Sequence, residues 1–320
     1  MTPEIAHAVA LLRAGELVAF PTETVYGLGA DAANPQAVAR IFAAKGRPQD
    51  HPLIVHLADA AQLDAWARDI PEAARKVAAA FWPGPLTLIL KRQPGVIDAI
   101  TGGQDTVGLR VPNHPLALEL LREFGGGLAA PSANRFGRIS PTTAQHVREE
   151  LGDAVAMVID GGPCQVGIES TILDLSGDQP AILRPGMIGG DVIAAVLGQS
   201  PAAAGRAPGT DTPRVSGSLE SHYAPTTPLE LVSSDGLVFA VRNAIIKQER
   251  TAFLASMAQP IHNEIISWRL APTEPEPFAR ALYASLRELD ALGCARIVVQ
   301  APPATPSWAP VLDRLRRAAS

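Results

Sequence analysis

Two cations and two imidazoles stand close together in segment 45–56, KGRPQDHPLIVH. Lys45 and Arg47 come at the end of a predicted helix. His51 follows in a turn, and His56 lies within an apolar run that predicts a strand. Such a cluster is costly to bury without counter-charge, so it favours an anionic ligand. A solvated helix end, whose cations interact with the helix macrodipole, explains the same residue types equally well.

Two further arginines end predicted strands, Arg110 in GLRVP and Arg184 in LRPG. The chain contains no GxxxxGK[ST] loop, so bound phosphates would be held by side chains and scattered amides. Because element ends converge in α/β folds, four cations at such ends predict one anion-binding cavity. Taken one at a time, an arginine at a strand end is as often a surface residue.

Hydroxyl and amide groups occupy three more strand termini, at 21–29 (PTETVYGLG), 131–134 (PSAN) and 167–171 (GIEST). Turns and caps explain each of them alone. Gly27-x-Gly29 superficially matches a dinucleotide fingerprint, but six residues separate it from the preceding strand and the next helix waits for Asn34. The sequence shows neither a Ser-His-Asp order nor an HExxH motif, so it does not indicate nucleophilic or metallohydrolase chemistry.

Composition limits the classes of protein to which this chain can belong. The chain has 320 residues, 47% of them hydrophobic and 18% charged, which allows two globular domains. Its net charge of -5 argues against a broad nucleic-acid surface but not against a local basic pocket. Cys164 and Cys294 lie far apart without CxxC partners, so neither a disulfide framework nor a zinc site is indicated. Without a signal-peptide pattern or a membrane span, we expect a cytoplasmic protein.

Hydrophobic periodicity predicts an α/β fold with a partly antiparallel sheet, because several late strands have no helix between them. Strands are predicted at 17–20, 53–57, 87–90, 107–111, 128–130, 157–160, 171–175 and 181–184, and helices at 5–12, 34–46, 63–66, 71–81, 114–124, 140–152 and 191–197. After a Pro-, Gly- and Ser-rich stretch, strands are predicted at 229–232, 237–241 and 296–299, and helices at 278–292 and 310–317.

Nine short motifs, in one consistent order, resemble the YrdC-like family in its two-domain, threonylcarbamoyl-AMP synthase form. They are PTETVYGLG (21–29), KGRPQDHPLIVH (45–56), PGPLTLIL (83–90), GLRVP (108–112), APSAN (130–134), SPTT (140–143), ESTI (169–172), LRPG (183–186) and HYAP (222–225). The resemblance implies a twisted mixed sheet with helices around a concave cavity. It also implies a catalytic domain (1–198), a linker or lid (199–225) and a small Rossmann-like βαβ accessory domain (226–320).

The resemblance further implies a nucleotidyltransferase that makes threonylcarbamoyl-adenylate and pyrophosphate from L-threonine, bicarbonate and ATP. Mg²⁺ would accompany the ATP. The product would serve tRNA threonylcarbamoyladenosine formation, through downstream transfer proteins. Direct binding of tRNA or double-stranded RNA is a weaker expectation, and membrane association is not expected.

Residue roles carried over by motif fall into two groups. The ATP side is expected to comprise Lys45, Arg47, His51, Thr106, Ser132, Asn134, Ser140, Arg184 and Tyr223, with Lys45 and Arg47 as the catalytic cations. The threonine side is expected to comprise Thr24, Tyr26, His56, Arg110, Ala130 and Ser170. His56 is equally explained as a satisfied core histidine.

The linker departs from the family pattern. Ala207-Pro208-Gly209 is followed by a longer insert, 210–221, which contains Arg214. Arg214 is an additional candidate phosphate contact, and a disordered lid is the alternative. In the linker, His222 and Tyr223 are expected to close the site. An RNA-binding module without turnover is the main alternative to an enzyme.

Overall fold

The computed structural model of the chain describes residues 2–202, 212–217 and 222–320. The chain forms two compact units. The first comprises Met1–Phe136, Pro141–Gln165 and Glu169–Ser218, and the second comprises Gly137–Ser140, Val166–Ile168 and Leu219–Ser320. The Ala207-Pro208-Gly209 motif lies outside the described residues, and so does half of the insert at 210–221, of which 212–217 are described. The boundaries predicted at 198 and 225 remain predictions.

The first unit is a layered α/β structure. Its strands are β1 (Val18–Phe20), β2 (Gly27–Asp31), β3 (Ile54–His56), β4 (Leu86–Lys91), β5 (Thr106–Arg110), β6 (Leu128–Ala129), β7 (Met157–Val158), β8 (Thr171–Asp174) and β9 (Ala181–Arg184). Its helices are α1 (Pro3–Arg13), α2 (Pro35–Lys45), α3 (Leu63–Trp66), α4 (Glu72–Phe81), α5 (Asp98–Thr101), α6 (Pro115–Phe124), α7 (Ala144–Leu151) and α8 (Gly190–Leu197).

These strands form one nine-stranded sheet in the order β7-β1-β2-β6-β3-β5-β4-β8-β9. Strands β3 and β5 are parallel, as are β4 and β8, whereas β4 and β5 run antiparallel. The predicted mixed sheet is therefore confirmed. Because neighbouring strands run in both directions, loops from several parts of the chain meet at each edge of the sheet.

Helix α2 ends where the cation cluster begins, and its sequence explains both ends. Asn34 caps the first turn by accepting hydrogen bonds from two backbone N–H groups, and Pro35 occupies the first helical position. Ile41 and Phe42 bury one face of the helix. Gly46 then adopts the left-handed conformation, with φ of 60°, which stops the helix and turns the chain toward β3.

Two predictions about the first unit are wrong. Gly27–Asp31 is not a glycine-rich turn but strand β2, paired with β1 and β6. Gly29 is required because a Cβ atom there would stand 2.8 Å from the Phe20 ring. No helix opens after these glycines, which removes the dinucleotide interpretation. Helix α7 begins at Ala144 and is capped by Thr143, so Ser140-Pro141 precedes the helix rather than opening it.

The second unit is a small parallel α/β structure. Its strands are β10 (Leu229–Val232), β11 (Thr251–Ala255), β12 (Ile266–Leu270) and β13 (Arg296–Gln300), in the order β10-β13-β11-β12, and its helices are α9 (Ser234–Lys247), α10 (Pro275–Asp290) and α11 (Ala309–Ala318). All neighbouring strands are parallel. The expected Rossmann-like βαβ unit is confirmed, with β11 and β12 as strands that periodicity did not predict.

The strand predicted at 237–241 is wrong, because these residues belong to helix α9. Ser233 caps that helix by accepting a hydrogen bond from the Gly236 N–H, 3.1 Å away. The apolar residues Leu237, Val241 and Ala244 recur at helical spacing and are buried against the sheet. A run of five residues was too short to distinguish that period from a strand.

None of the described helices is long and apolar enough to cross a membrane. Within the described residues, Cys164 and Cys294 are both free and buried. Burial raises the pKa of the Cys164 thiol to about 12, so this thiol stays protonated.

Candidate functional site

Lys45 is a buried cation whose ammonium group reaches the loop after β6. It is 3% exposed and donates hydrogen bonds to the backbone carbonyls of Ser132 and Asn134. Among the described residues it has no carboxylate partner within salt-bridge distance. Burial lowers the pKa of Lys45 well below its usual value, and the neighbouring Arg47 lowers it further. A desolvated cation held by neutral carbonyls is a site where an anion gains most.

Arg47 lies beside Lys45 and is 6% exposed. Its guanidinium donates to the Pro52 carbonyl at 3.0 Å and to the Ser216 hydroxyl at 3.3 Å. It also lies over the Phe136 ring, 5.6 Å from the centroid. His51 contacts the same ring edge-on, at 5.3 Å between centroids. Phe136 therefore fixes both a cation and an imidazole at one wall, a role the sequence did not indicate.

Arg184, at the end of β9, joins this wall to a row of hydroxyls. Its guanidinium donates to the Ser170 carbonyl at 2.9 Å and hydroxyl at 3.1 Å, and to the Ser216 carbonyl at 2.9 Å. Ser170 in turn contacts the Thr87 hydroxyl at 2.8 Å. Ser216 is thus a shared partner of Arg47 and Arg184, which brings two of the predicted cations to one point.

Arg110 forms a buried ion pair that sequence reasoning missed. Its guanidinium lies 2.7 Å from the Glu23 carboxylate, and both side chains are 5% exposed. Glu23 also accepts a hydrogen bond from the Asn113 N–H at 3.0 Å, and Arg110 donates to the Gly84 carbonyl at 3.3 Å. The sequence feature that could have indicated this ion pair is the carboxylate within the hydroxyl-rich PTETVYGLG segment. A single glutamate in a turn gave no reason to pair it with an arginine 87 positions later.

His56 stands next to this pair, because β3 and β5 are parallel and pair His56 with Arg110. It is 3% exposed, and its Nδ1 atom has no hydrogen-bond partner among the described residues. Burial, assisted by the Arg110 charge, lowers the pKa of His56 to about 3. The imidazole is therefore neutral at physiological pH, with one nitrogen left over for a ligand.

The hydroxyls of the 21–29 segment are held by the fold itself. The Thr24 and Thr22 hydroxyls lie 2.9 Å apart, and Thr22 also accepts from the Val25 N–H at 3.2 Å. The Tyr26 hydroxyl donates to the Gly162 carbonyl at 2.8 Å and accepts from the Gly161 N–H at 3.1 Å. Burial raises the pKa of Tyr26 to about 12. Tyr26 thus stays neutral and holds this segment against the 161–162 loop.

Thr106 and Ala130 lie at the ends of neighbouring segments of the sheet, Thr106 at the start of β5 and Ala130 directly after β6. Thr106 begins β5 and lines a narrow cleft with Pro52, Gly108 and Arg214. The Ala130 N–H donates to the Ile54 carbonyl at 3.0 Å. Arg214 is exposed and lies 3.4 Å from Asp50. Its own N–H donates to the Gln104 side chain at 2.6 Å, so it fastens segment 212–217 to the loop before β5.

Three predicted residues belong to the second unit by their packing. Ser140 is fully buried there. The Tyr223 ring lies 5.8 Å from the Tyr283 ring and under the Arg314 guanidinium at 5.3 Å, and it is 1% exposed. His222 is buried beside it, with ring centroids 4.1 Å apart. The packing of Tyr223 among residues of the second unit was not foreseen, and its role toward ATP remains a prediction.

The first unit therefore presents two neighbouring chemistries on one sheet. One group, Lys45, Arg47 and Arg184, can neutralise a multiply charged anion. The other, Arg110 and His56, can hold a carboxylate and a small polar group. None of the described residues forms a cluster of three or more His, Cys, Asp or Glu side chains able to hold a metal.

The pKa of His56 leads to a stability prediction. Its folded value of about 3 lies below the ordinary 6.5, so the unfolded chain binds one more proton between these values. The free energy of unfolding should therefore fall as pH drops from 6.5 toward 3, by ~1.4 kcal/mol per pH unit from this group. When urea unfolding is measured at several pH values in this range, the free energy of unfolding of His56→Gln should change less steeply with pH than that of the wild type. The exposed His7→Gln variant is the control, and an unchanged slope in His56→Gln would contradict the assignment.

Known proteins resemble the chain over its whole length. Residues 10–186 match the Sua5_yciO_yrdC family, described as "Telomere recombination", and residues 188–320 match Sua5_C, described as "Threonylcarbamoyl-AMP synthase, C-terminal domain". The chain is 41% identical to a threonylcarbamoyl-AMP synthase of Bacillus subtilis, covering 99% of this chain and 93% of that protein. It is 40% identical to that of Pyrococcus abyssi, covering 98% and 94%.

A solved structure, P. abyssi Sua5 complexed with L-threonine, superposes with a TM-score of 0.89 at 38% identity, covering 98% of this chain and 94% of that one. The fold and site thus define an α/β protein with a cationic, hydroxyl-rich site on a mixed sheet, followed by a parallel α/β unit. The chain belongs to the Sua5/YciO/YrdC family, in the form that carries the Sua5 C-terminal domain.

Proposed function

We propose that this chain is an L-threonylcarbamoyladenylate synthase, which converts L-threonine, bicarbonate and ATP into threonylcarbamoyl-AMP and pyrophosphate. The single observation that carries the proposal is the buried cluster of Lys45, Arg47 and Arg184 beside the Arg110–His56 group, in a chain about 40% identical to threonylcarbamoyl-AMP synthases over its full length. The reaction requires a polyanion, ATP, and an amino acid to be held side by side, and this arrangement supplies partners for both.

On the nucleotide side, the cations act by neutralising charge. The threonine nitrogen first bonds to the carbon of bicarbonate, with loss of water and a proton, to give N-carboxythreonine. Its carbamate oxygen then attacks the α-phosphorus of ATP: a new P–O bond forms, and the bond from the α-phosphorus to the oxygen that bridges it to the β-phosphate breaks as pyrophosphate leaves. The attacking carboxylate is ionised at neutral pH, so no protein base is needed. Lys45 and Arg47 stabilise the negative charge that builds on the phosphates. Ser132, Asn134, Ser140, Thr106, His51 and Tyr223 are the proposed additional ATP contacts.

On the amino-acid side, Arg110 binds the threonine carboxylate, and Glu23 orients its guanidinium. His56 is neutral and has a spare Nδ1 atom, so it suits a hydrogen bond to an uncharged group of the substrate. Thr24, Tyr26, Ala130 and Ser170 are the proposed remaining contacts. Holding the amine and the α-phosphorus in one orientation is the main catalytic contribution of this side.

Magnesium enters as part of the substrate. The described site offers cations, hydroxyls and carbonyls, and Glu23 is already committed to Arg110. Mg²⁺ bound by triphosphate oxygens and water needs few protein ligands, so MgATP fits a site of this composition. The product then passes to tRNA-modifying transfer proteins, and we place the reaction in the cytoplasm, where its substrates and tRNA occur.

Pyrophosphate release tests this proposal. Purified protein with MgATP and bicarbonate should release pyrophosphate only when L-threonine is added, and a panel of the other amino acids should give background rates. A matched reaction with serine measures how strongly the threonine methyl group is required. Turnover with a different amino acid would contradict the substrate assignment. Binding of RNA with no turnover under any of these conditions would instead support an RNA-binding module.

A further inference from the structure

A cleft of about 330 Å³ opens in the second unit, at the carboxyl edge of its parallel sheet. All four strands contribute to its lining. Ser234 follows β10, Ser256 follows β11, Thr273 follows β12, and Gln300 ends β13. Its volume falls at the lower end of the range of ligand pockets, ~300–1,000 Å³. The cleft is therefore large enough for one small molecule and too small for a dinucleotide.

The topology of the sheet explains why a cleft forms here. The connection from β10 to β11 carries α9 in one direction across the sheet, and the connection from β12 to β13 carries α10 in the other. Because such crossovers are right-handed, the two helices cover opposite faces. Strand β10 leads into α9, while its neighbour β13 leads into α11, which packs with α10. A crevice between oppositely directed connections is where open α/β sheets bind ligands.

The polar groups of the cleft are already oriented. The Gln300 side-chain oxygen accepts hydrogen bonds from the Ser256 N–H at 2.9 Å and the Ser256 hydroxyl at 3.1 Å. This fixes the amide, whose nitrogen donates to the Ser234 hydroxyl at 3.0 Å. The Ser234 hydroxyl then has its proton free to donate, and the Ser256 hydroxyl has lone pairs free to accept. The cleft offers a positioned donor and acceptor side by side.

Aromatic and proline side chains form the apolar part of the lining. Phe278 and Trp308 meet edge-to-face, 5.5 Å between centroids at 82°, and are 3% and 6% exposed. Their burial makes the wall rigid, and three prolines complete the rim. Aromatic and proline side chains in one cleft with a donor and an acceptor suit a ring with polar edges.

The described lining contains no ionisable side chain. An amino acid would bring two charges and a nucleotide at least one, and neither would find a counter-charge. The nearby helix N-termini do not supply it, because Asp235 and Glu276 already occupy the first turns of α9 and α10. We propose that this cleft binds an uncharged nucleoside, at a site separate from the one that serves the proposed reaction.

Calorimetric titration of the full chain with adenosine and with uridine tests this inference. Three variants separate the cleft from the proposed ATP site: Ser234→Phe, which fills the cleft, Lys45→Met, which alters the ATP site, and Ser200→Phe, a matched change at another exposed serine. Ser234 is exposed and the helix cap is Ser233, so Ser234→Phe should leave the melting temperature near that of wild type. Gln300→Met, which removes the oriented amide, serves as a second variant should Ser234→Phe melt early.

At least one nucleoside should bind, and Ser234→Phe and Gln300→Met should raise its Kd by about tenfold or more. Lys45→Met and Ser200→Phe should leave that Kd within about twofold of wild type. Loss of binding in Lys45→Met with normal binding in Ser234→Phe would overturn the inference, because the nucleoside would then occupy the ATP site. It would equally be overturned by no binding of either nucleoside at millimolar concentration, or by AMP binding the cleft more tightly than adenosine. The proposed synthase activity is tested separately, by threonine-dependent pyrophosphate release.

Discussion

Replacing Lys45 by methionine should lower threonine-dependent pyrophosphate release by ~10³-fold while leaving the melting temperature unchanged or higher. Lys45 is 3% exposed, and within the described part of the chain its ammonium donates to carbonyl oxygens, so its burial costs stability that methionine recovers, while the aliphatic stem is kept. The same charge is what the phosphates of ATP need. Function and stability should therefore move in opposite directions, as measured by steady-state kinetics and thermal melting. Lys45→Ala should lose the same activity without unfolding the protein.

Lys247 provides a matched control for this experiment. Like Lys45 it is the last residue of a helix, and Gln248 after it is left-handed with φ of 54°, as Gly46 is with φ of 60°. A role in the helix macrodipole would make Lys247→Met and Lys45→Met equivalent. We expect Lys247→Met to retain full activity. A large drop in the melting temperature of Lys45→Met, or turnover by that variant at the wild-type rate, would contradict an anion-binding role. Lys45 would then have a structural role at the helix end.

The cations of the site could be predicted from sequence because their signal is local. Lys45 ends a helix with a proline start and a glycine stop, Arg47 comes two residues later, and those signals predict where the helix ends. Order along the chain then grouped them with Ser132, Asn134 and Arg184, and the structure shows direct contacts within both Lys45–Ser132–Asn134 and Arg47–Ser216–Arg184.

The partners of those cations could not be predicted, because they depend on long-range packing. Glu23 meets Arg110 only after β1 and β5 enter the same sheet, and Phe136 meets Arg47 only through the loop after β6. Strand β2 was missed because its small residues carry no period, although close packing on Phe20 demands them. In the second unit, the short apolar run at 237–241 predicts a strand but forms part of helix α9. Local pattern thus located the charges, and tertiary contacts decided which were paired.

Replacing Arg110 by methionine should destabilise the protein by about 3–5 kcal/mol, since it leaves the Glu23 carboxylate buried without its counter-charge. Both side chains are 5% exposed and their charged atoms lie 2.7 Å apart, so solvent cannot compensate. Urea unfolding measures the loss. The Arg75–Asp64 pair has the same 2.7 Å separation but is 51% and 66% exposed, so Arg75→Met should leave the free energy of unfolding close to that of wild type.

The double variant Glu23→Gln with Arg110→Met separates pairing from packing. Once both charges are gone, no ion remains buried alone, so much of the stability should return, and the coupling in the cycle should exceed about 2 kcal/mol. Activity should not return, because the threonine carboxylate has lost its cation. In Glu23→Gln alone, the guanidinium keeps its charge but loses its orienting partner. The KM for threonine should then rise by about tenfold or more, while the KM for ATP changes little. Additive stability losses, or an equal rise in both KM values, would show that Glu23 supports the fold without positioning Arg110 for the substrate.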